Sequence, residues 1–114
     1  MTNEEKISKL RTLLLPDEIS NELLTDLIEI SEGYVLNRRY PFGVPEGAVV
    51  EKRFEYVQLK IAVELYSKMV AEGQTAHKEN GIDRTFESAD VSKSLLKQIT
   101  PVVGGVKNAN TEQK

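Results

Sequence analysis

Apolar residues recur at helical spacing along residues 48–73, and they form two lines rather than one. The first line comprises Val50, Phe54, Val57, Ile61, Leu65 and Met69, and the second comprises Tyr56, Leu59, Val63, Tyr66 and Val70. Steps of three or four residues place side chains on one face of a helix, so this segment is predicted to form a single long helix. Because a surface helix usually has one apolar face, two lines indicate a central helix that is covered on both sides, either within its own subunit or by a neighbour.

Two shorter amphipathic segments precede this helix and are predicted to pair as a helical hairpin. Thr2 is placed to cap the first segment, with Glu5 returning a bond to the cap backbone, and Pro16 ends it. Ser20 or Asp17 is expected to cap the second segment. The apolar positions are Ile7, Leu10 and Leu14 in the first segment, and Leu23, Leu24, Leu27, Ile28, Tyr34 and Val35 in the second.

Glycine and proline mark the places where these helices bend or end. Gly33 lies inside the predicted second helix, where glycine costs about 1 kcal/mol relative to alanine, so close packing or a kink is expected there. Residues 37–47 contain two prolines and two glycines, which predicts an ordered loop. Tyr40 and Phe42 are expected to pack this loop onto the body of the protein.

The composition becomes polar after the long helix. Asn80 and Gly81 are typical of a two-residue hairpin turn because both tolerate positive φ, and Ile82, Arg84 and Phe86 then alternate with polar residues as in a short strand. An isolated hairpin is barely stable in water. The segment is therefore expected to pack against the bundle, to pair with a partner, or to stay mobile until assembly.

The last predicted element is a short helix with a cap at Asp90 and a stop at Pro101. Its apolar residues are Leu95, Leu96 and Ile99. Residues 104–114 are polar and led by glycine, and they are predicted to be a disordered tail when the protein is free. The sequence thus predicts one mainly α domain over residues 1–103: a small helical bundle around one long central helix, with a short β-hairpin or extended loop near the C-terminus.

The amino-acid composition argues against several classes of function. The chain has no cysteine, which excludes thiol catalysis, disulfide scaffolds and cysteine-based zinc sites. His77 is the only histidine, and with Glu79 alone beside it neither a metal site nor a catalytic triad is expected. No apolar run approaches the roughly 20 residues that a membrane span needs, so a soluble protein is expected. We predict no enzyme activity and no cofactor.

Arg38 and Arg39 are the one chemical feature that leaves alternatives open. The first interpretation is that a basic pair at a helix C-terminus interacts favourably with the helix dipole. The second is that the pair binds a phosphate or carboxylate partner. The same pair could belong to a helix-turn-helix in a small DNA-binding regulator. The formal charge of −3 counts against that hypothesis because it gives no general attraction for DNA. A dimeric adaptor is a further alternative.

Several short motifs, in their order along the chain, resemble those of phage head-tail connector proteins, which act as head-completion or DNA-packaging adaptors. The matching pieces are Arg39-Tyr40-Pro41, Glu72-Gly73, the stretch ENGIDRTFESAD that contains Asn80-Gly81 and Phe86, the stretch SLLKQITP, and Val103-Gly104. The resemblance covers nearly the whole chain. It implies an all-helical structural subunit without catalytic residues.

The resemblance further implies a homo-oligomeric ring, a dodecamer in the virion, at the head-tail junction of a phage or prophage. Its partners would be the portal protein and a tail or stopper protein, and DNA would pass through without specific binding; before assembly the subunit would be in the host cytoplasm. The residues expected at subunit or partner contacts are Tyr56, Leu59, Val63, Tyr66, Val70, Arg38, Arg39, Asn80, Gly81, Ile82, Arg84 and Phe86.

Overall fold

The computed structural model describes residues 1–71 and 91–102, and these residues are mainly helical. The helices are α1 (Asn3–Leu13), α2 (Asn21–Arg39), α3 (Glu55–Ala71) and α4 (Lys93–Leu96), and a single 3₁₀ turn (Lys52–Phe54) leads into α3. No strand occurs in the described part of the chain. The prediction of a mainly α fold is confirmed, whereas the predicted hairpin around residues 80–86 and the predicted tail lie outside the described residues.

The first two helices begin where local side-chain chemistry predicts, but their ends differ from the prediction: α1 ends at Leu13, before Pro16, and α2 continues through Arg39 into residues predicted to be loop. Thr2 forms a capping box with Glu5: the Thr2 side chain accepts from the Glu5 backbone at 3.1 Å, and the Glu5 carboxylate accepts from the Thr2 backbone at 2.7 Å. The chain then turns at Pro16, whose preceding peptide bond is cis. Of the two candidate caps for α2, Ser20 is the one used, and its hydroxyl accepts from the first turn of the helix at 3.1 Å.

The long central helix is present but begins later than predicted. Residues 48–51 precede the helix, and Glu51 has extended backbone angles before the 3₁₀ turn starts at Lys52. The Glu51 carboxylate is bound by Arg39, the last residue of α2. The contact holds Glu51 against the end of α2. The spacing of apolar residues along the chain gives no information about such a contact, so it could not predict the later start of the helix.

Hydrogen bonds between helices define their order in the bundle. The Gln58 side chain donates to the carbonyl of Ile28 at 3.1 Å, and Arg39 binds Glu51 at 2.7 Å, so α2 and α3 are antiparallel. The α1–α2 turn lies beside the later part of α3, because the Tyr66 hydroxyl donates to Asp17. The amino group of Met1 binds Glu55, at the start of α3. Thus α1 runs parallel to α3 and forms an antiparallel pair with α2, as the predicted hairpin requires.

The core lies between α1, α2, α3 and residues 91–102. All residues of the first apolar line are buried, with Val57 the most exposed of them at 7%. Apolar residues of the other elements complete this core, including Leu10, Leu24, Leu27, Val35, Val91 and Ile99. The first line therefore stabilises the fold of the subunit itself. No helix among the described residues is both long and apolar enough to cross a membrane.

Gly33 can be replaced by alanine without a steric penalty. A Cβ atom built at Gly33 meets nothing within 4 Å, which excludes close packing, one of the two alternatives predicted for this glycine. We expect Gly33→Ala to raise the free energy of unfolding by about 0.5–1 kcal/mol, because alanine loses less backbone entropy in a helix. Urea unfolding measures this effect. Gly47→Ala is the control and should destabilise, since Gly47 has a φ of 79°. A loss of stability in Gly33→Ala would contradict the open space seen beside α2.

Candidate subunit interface

Helix α3 is covered by other parts of the subunit on three sides. Glu55 binds the amino group of Met1, Gln58 donates to α2, and Glu64 accepts from the backbone of Ser92. Because an α-helix has 3.6 residues per turn, these three contacts leave one lengthwise strip without cover. We call it the outer strip of α3, and it comprises Tyr56, Lys60, Val63, Ser67 and Val70.

The outer strip contains three apolar residues spaced seven positions apart, which places them in line along the helix. Tyr56 is 64% exposed, Val70 is 50% exposed, and Val63 is partly buried against the core. These residues belong to the second apolar line of the sequence. Two exposed apolar residues in line along one helix, Tyr56 and Val70, are the feature expected of a surface that contacts another protein chain.

Two residues predicted for that surface lie elsewhere. Leu59 is 1% exposed and belongs to the core, so it is not part of the exposed surface of the subunit. It lies one helical turn after Glu55, on the side that faces the N-terminus and α1. Tyr66 is partly buried, and its hydroxyl donates to Asp17 at 2.8 Å. Burial, with the bond to the Asp17 carboxylate, raises the pKa of Tyr66 to about 12, so the phenol stays protonated at neutral pH.

Arg39 connects three elements of the subunit. Its Nε donates to Glu51 at 2.7 Å and its Nη1 donates to the carbonyl of Thr100 at 2.7 Å. Its own carbonyl accepts from the backbone of Val102 at 2.7 Å. The carboxylate partner allowed by the sequence interpretation is therefore Glu51. The contact to residues 100–102 was missed, because no local pattern relates positions so far apart along the chain.

A small charged cluster surrounds this arginine. Glu51 accepts from Arg39 and, at 3.1 Å, from Arg53. The guanidinium groups of Arg39 and Arg53 lie 5.6 and 4.7 Å from the centre of the Phe54 ring, within the range of cation–π contacts. The hydrogen bond from Arg39, with the charge of Arg53 beside it, lowers the pKa of Glu51 below its ordinary value, so Glu51 is ionised at neutral pH.

Arg38 supports the same C-terminal segment from a second point. Its Nε donates to the carbonyl of Leu96 at 3.1 Å, although the side chain as a whole is exposed. Ser92, rather than the predicted Asp90, is the cap residue of α4, and Asp90 lies outside the described residues. Both arginines thus donate to acceptors within the subunit. These bonds give them a structural role, so their presence does not require a DNA-binding function.

The loop between α2 and the 3₁₀ turn carries a second exposed apolar surface. Phe42 is 83% exposed, Val49 is 69% exposed and Val44 is 41% exposed, and we call these three residues the loop patch. The prediction that Phe42 packs onto the body is wrong. A tight turn closed by Gly43, whose backbone donates to Tyr40 at 3.1 Å, places Phe42 at its tip. Gly43 has a φ of 128°, a conformation that glycine adopts readily.

The remaining predicted contact residues, Asn80, Gly81, Ile82, Arg84 and Phe86, lie outside the described residues. Within residues 1–71 and 91–102, no group of His, Asp or Glu residues is arranged so as to hold a metal ion. The described surface therefore offers apolar contact areas: the outer strip of α3 and the loop patch.

Comparison with known proteins identifies a family. The family model described as Phage gp6-like head-tail connector protein matches residues 5–102, which include every described helix except the first two residues of α1. Neither a curated protein nor a solved structure shows significant similarity to the chain.

Proposed function

Because this chain belongs to the phage gp6-like head-tail connector family, we propose that it forms a ring of identical subunits between the portal of a phage or prophage head and the tail. The family is a class of structural phage proteins, not of enzymes. In the proposed role the ring, a dodecamer in the virion, binds the portal on one side and a tail or stopper protein on the other. Its opening extends the channel through which DNA leaves the head. The free subunit is in the host cytoplasm before assembly.

The outer strip of α3 is the observation that supports a ring most directly. The subunit buries the first apolar line of α3 completely, yet it leaves Tyr56 and Val70 in solvent. A closed ring requires that each subunit meet its neighbours through two different surfaces. We propose that the outer strip is one of these surfaces and that Tyr56, Val63 and Val70 contact the next subunit. Tyrosine is well suited to this position because aromatic residues are enriched at interface centres.

Charged substitutions on the outer strip test this proposal. Tyr56→Asp and Val70→Asp should melt within a few degrees of wild type, because both side chains are half or more exposed, but should no longer assemble. Val63→Asp is a weaker test since Val63 also packs against the core. Native mass spectrometry over a range of concentrations, with and without the portal protein, measures assembly.

The control is Gln98→Asp, which adds the same charge at an exposed position just after α4, away from α3. It should assemble as wild type does. Normal ring formation by Tyr56→Asp and Val70→Asp would show that the outer strip is not an interface. A wild-type protein that stays monomeric even with its portal would exclude the ring itself.

We also expect little affinity for duplex DNA, although the proposed ring surrounds it. A channel must let the genome slide, and each neutralised phosphate would add an attraction that opposes passage. The formal charge is −3, and Arg38 and Arg39 already donate to protein acceptors. Titration against a random duplex at about 50 mM salt should give a dissociation constant weaker than about 1 μM. Tighter binding that is lost in an Arg38→Ala, Arg39→Ala double variant would favour the DNA-binding regulator instead.

A further inference from the structure

The turn between α1 and α2 forms an open concavity of about 410 Å³. Leu15 and Ile19 provide its apolar lining, and Arg11, Asp17 and Glu18 provide its charged groups. Leu15 is 61% exposed, so an apolar wall faces solvent. The guanidinium of Arg11 donates to the Ile19 carbonyl at 3.0 Å within its own subunit. One arginine against two carboxylates leaves the concavity with a formal charge of −1.

The concavity adjoins the outer strip of α3. The hydrogen bond between Tyr66 and Asp17 joins the α1–α2 turn to α3. Val70, the last apolar residue of the outer strip, lies one helical turn after Tyr66. The concavity and the proposed subunit contact therefore belong to one continuous side of the molecule.

The loop patch lies at the other end of the bundle. Val49 and the 3₁₀ turn precede the first turn of α3, whereas the concavity lies beside its later turns. Phe42 stands at the tip of its turn and is 83% exposed. Two cations follow this loop: Lys52 is exposed, and Arg53 is exposed but paired with Glu51. An exposed aromatic residue, in a loop that ends at exposed Lys52, thus lies at the opposite end of the bundle from the concave, acidic surface.

We infer that in the assembled ring the loop patch of one copy packs into the concavity of the next copy, with Phe42 against Leu15 and Ile19. This inference rests on the proposed ring and supplies the second of the two surfaces that a ring subunit needs. Burial of Phe42 removes its ring from water, and the small net negative charge of the concavity attracts the exposed Lys52 at the end of the loop. Since the two surfaces lie at opposite ends of the bundle, one copy cannot join them by itself, whereas consecutive copies can.

Two single variants and their mixture test the contact. Phe42→Ala removes the inserted side chain but keeps the concavity, and Leu15→Ser alters the concavity but keeps the loop. Each alone should raise the apparent dissociation constant of assembly at least about tenfold, as expected for an interface aromatic and its pocket. In an equimolar mixture, one intact contact is available between unlike copies. The expected product is a heterodimer that does not grow, which native mass spectrometry identifies by the different masses of the variants.

Leu13→Ser is the matched control, because Leu13 is 54% exposed but does not line the concavity. It should assemble like wild type, and all three variants should keep the wild-type melting temperature. If wild type, Phe42→Ala and Leu15→Ser assemble equally well, the proposed ring is supported, but the proposed packing of Phe42 into the concavity is wrong. If both variants fail alone and the mixture yields no heterodimer, the pairing of these two surfaces is also wrong. Wild-type protein that remains monomeric with its portal would instead exclude the proposed ring, and this contact with it.

Discussion

The Ile61→Asp variant will not fold into a stable subunit. Ile61 is 0% exposed and lies on the first apolar line of α3, in contact with the shared core. Burying an unpaired carboxylate costs several kcal/mol, and the lost apolar packing adds to that cost. Because small domains are stable by only about 5–15 kcal/mol, one such substitution is comparable to the whole free energy of unfolding. Far-ultraviolet circular dichroism and the soluble yield measure the outcome.

Two controls distinguish a core effect from a general intolerance of α3. Ile61→Val keeps the site apolar and should cost about 0.5–1.5 kcal/mol. Tyr56→Asp, on the outer strip of the same helix, should keep the wild-type melting temperature. An Ile61→Asp protein that melts cooperatively near the wild-type temperature would mean that this face of α3 is not in the core.

The contrast between these two faces shows how far periodicity can predict this fold. Residues on the first apolar line are all buried, as their spacing predicts, because a line of large apolar side chains has few alternatives to the core. Residues of the second apolar line differ in burial: Leu59 is buried, whereas Tyr56 is exposed. Spacing cannot separate them, since the difference depends on where α1 lies against α3, which is a property of the packed bundle.

The loop and the arginine pair show a second limit. Phe42 beside a proline was expected to pack inward, but the turn that Gly43 closes directs it into solvent. Arg39 was interpreted from its place at the end of α2, whereas its partner Thr100 lies sixty-one positions away. A helix C-terminus predicts a basic residue there, and it does not predict which distant carbonyl that residue will bind.

Family membership was accessible from the sequence because it depends on the order of short motifs, not on contacts. The Arg39-Tyr40-Pro41 motif and the pieces after α3 suggested a head-tail connector, and the family match over residues 5–102 confirms it. Motif order carries no information about which apolar side chains remain in solvent. Which residues of α3 remain exposed on the outer strip depends on how α1, α2 and residues 91–102 pack against this helix.

Arg39→Ala will loosen the C-terminal segment from the bundle. The Arg39 side chain is 16% exposed, and it links Glu51, which precedes the 3₁₀ turn before α3, to Thr100 while it packs on Phe54. Loss of the bond to Thr100 and of the contact with Phe54 should lower the free energy of unfolding by about 2–3 kcal/mol. Urea unfolding measures the total effect. Amide exchange measures its location, because protection of the Val102 N–H, which donates to the Arg39 carbonyl, should fall first.

Arg38→Ala is the matched control for this prediction. Arg38 is exposed and makes a single bond to Leu96, so its removal should cost about 0.5–1 kcal/mol.

The dependence of stability on pH in the acid range gives an independent test of the Arg39–Glu51 ion pair. Because Arg39 lowers the pKa of Glu51 below 4.5, the ion pair stabilises the folded state above that pH, and its contribution is lost as the pH falls through the lowered value. The stability difference between wild type and Arg39→Ala should therefore narrow below about pH 4.5. A difference that stays constant into acid would mean that Arg39 acts through Thr100 and Phe54 alone.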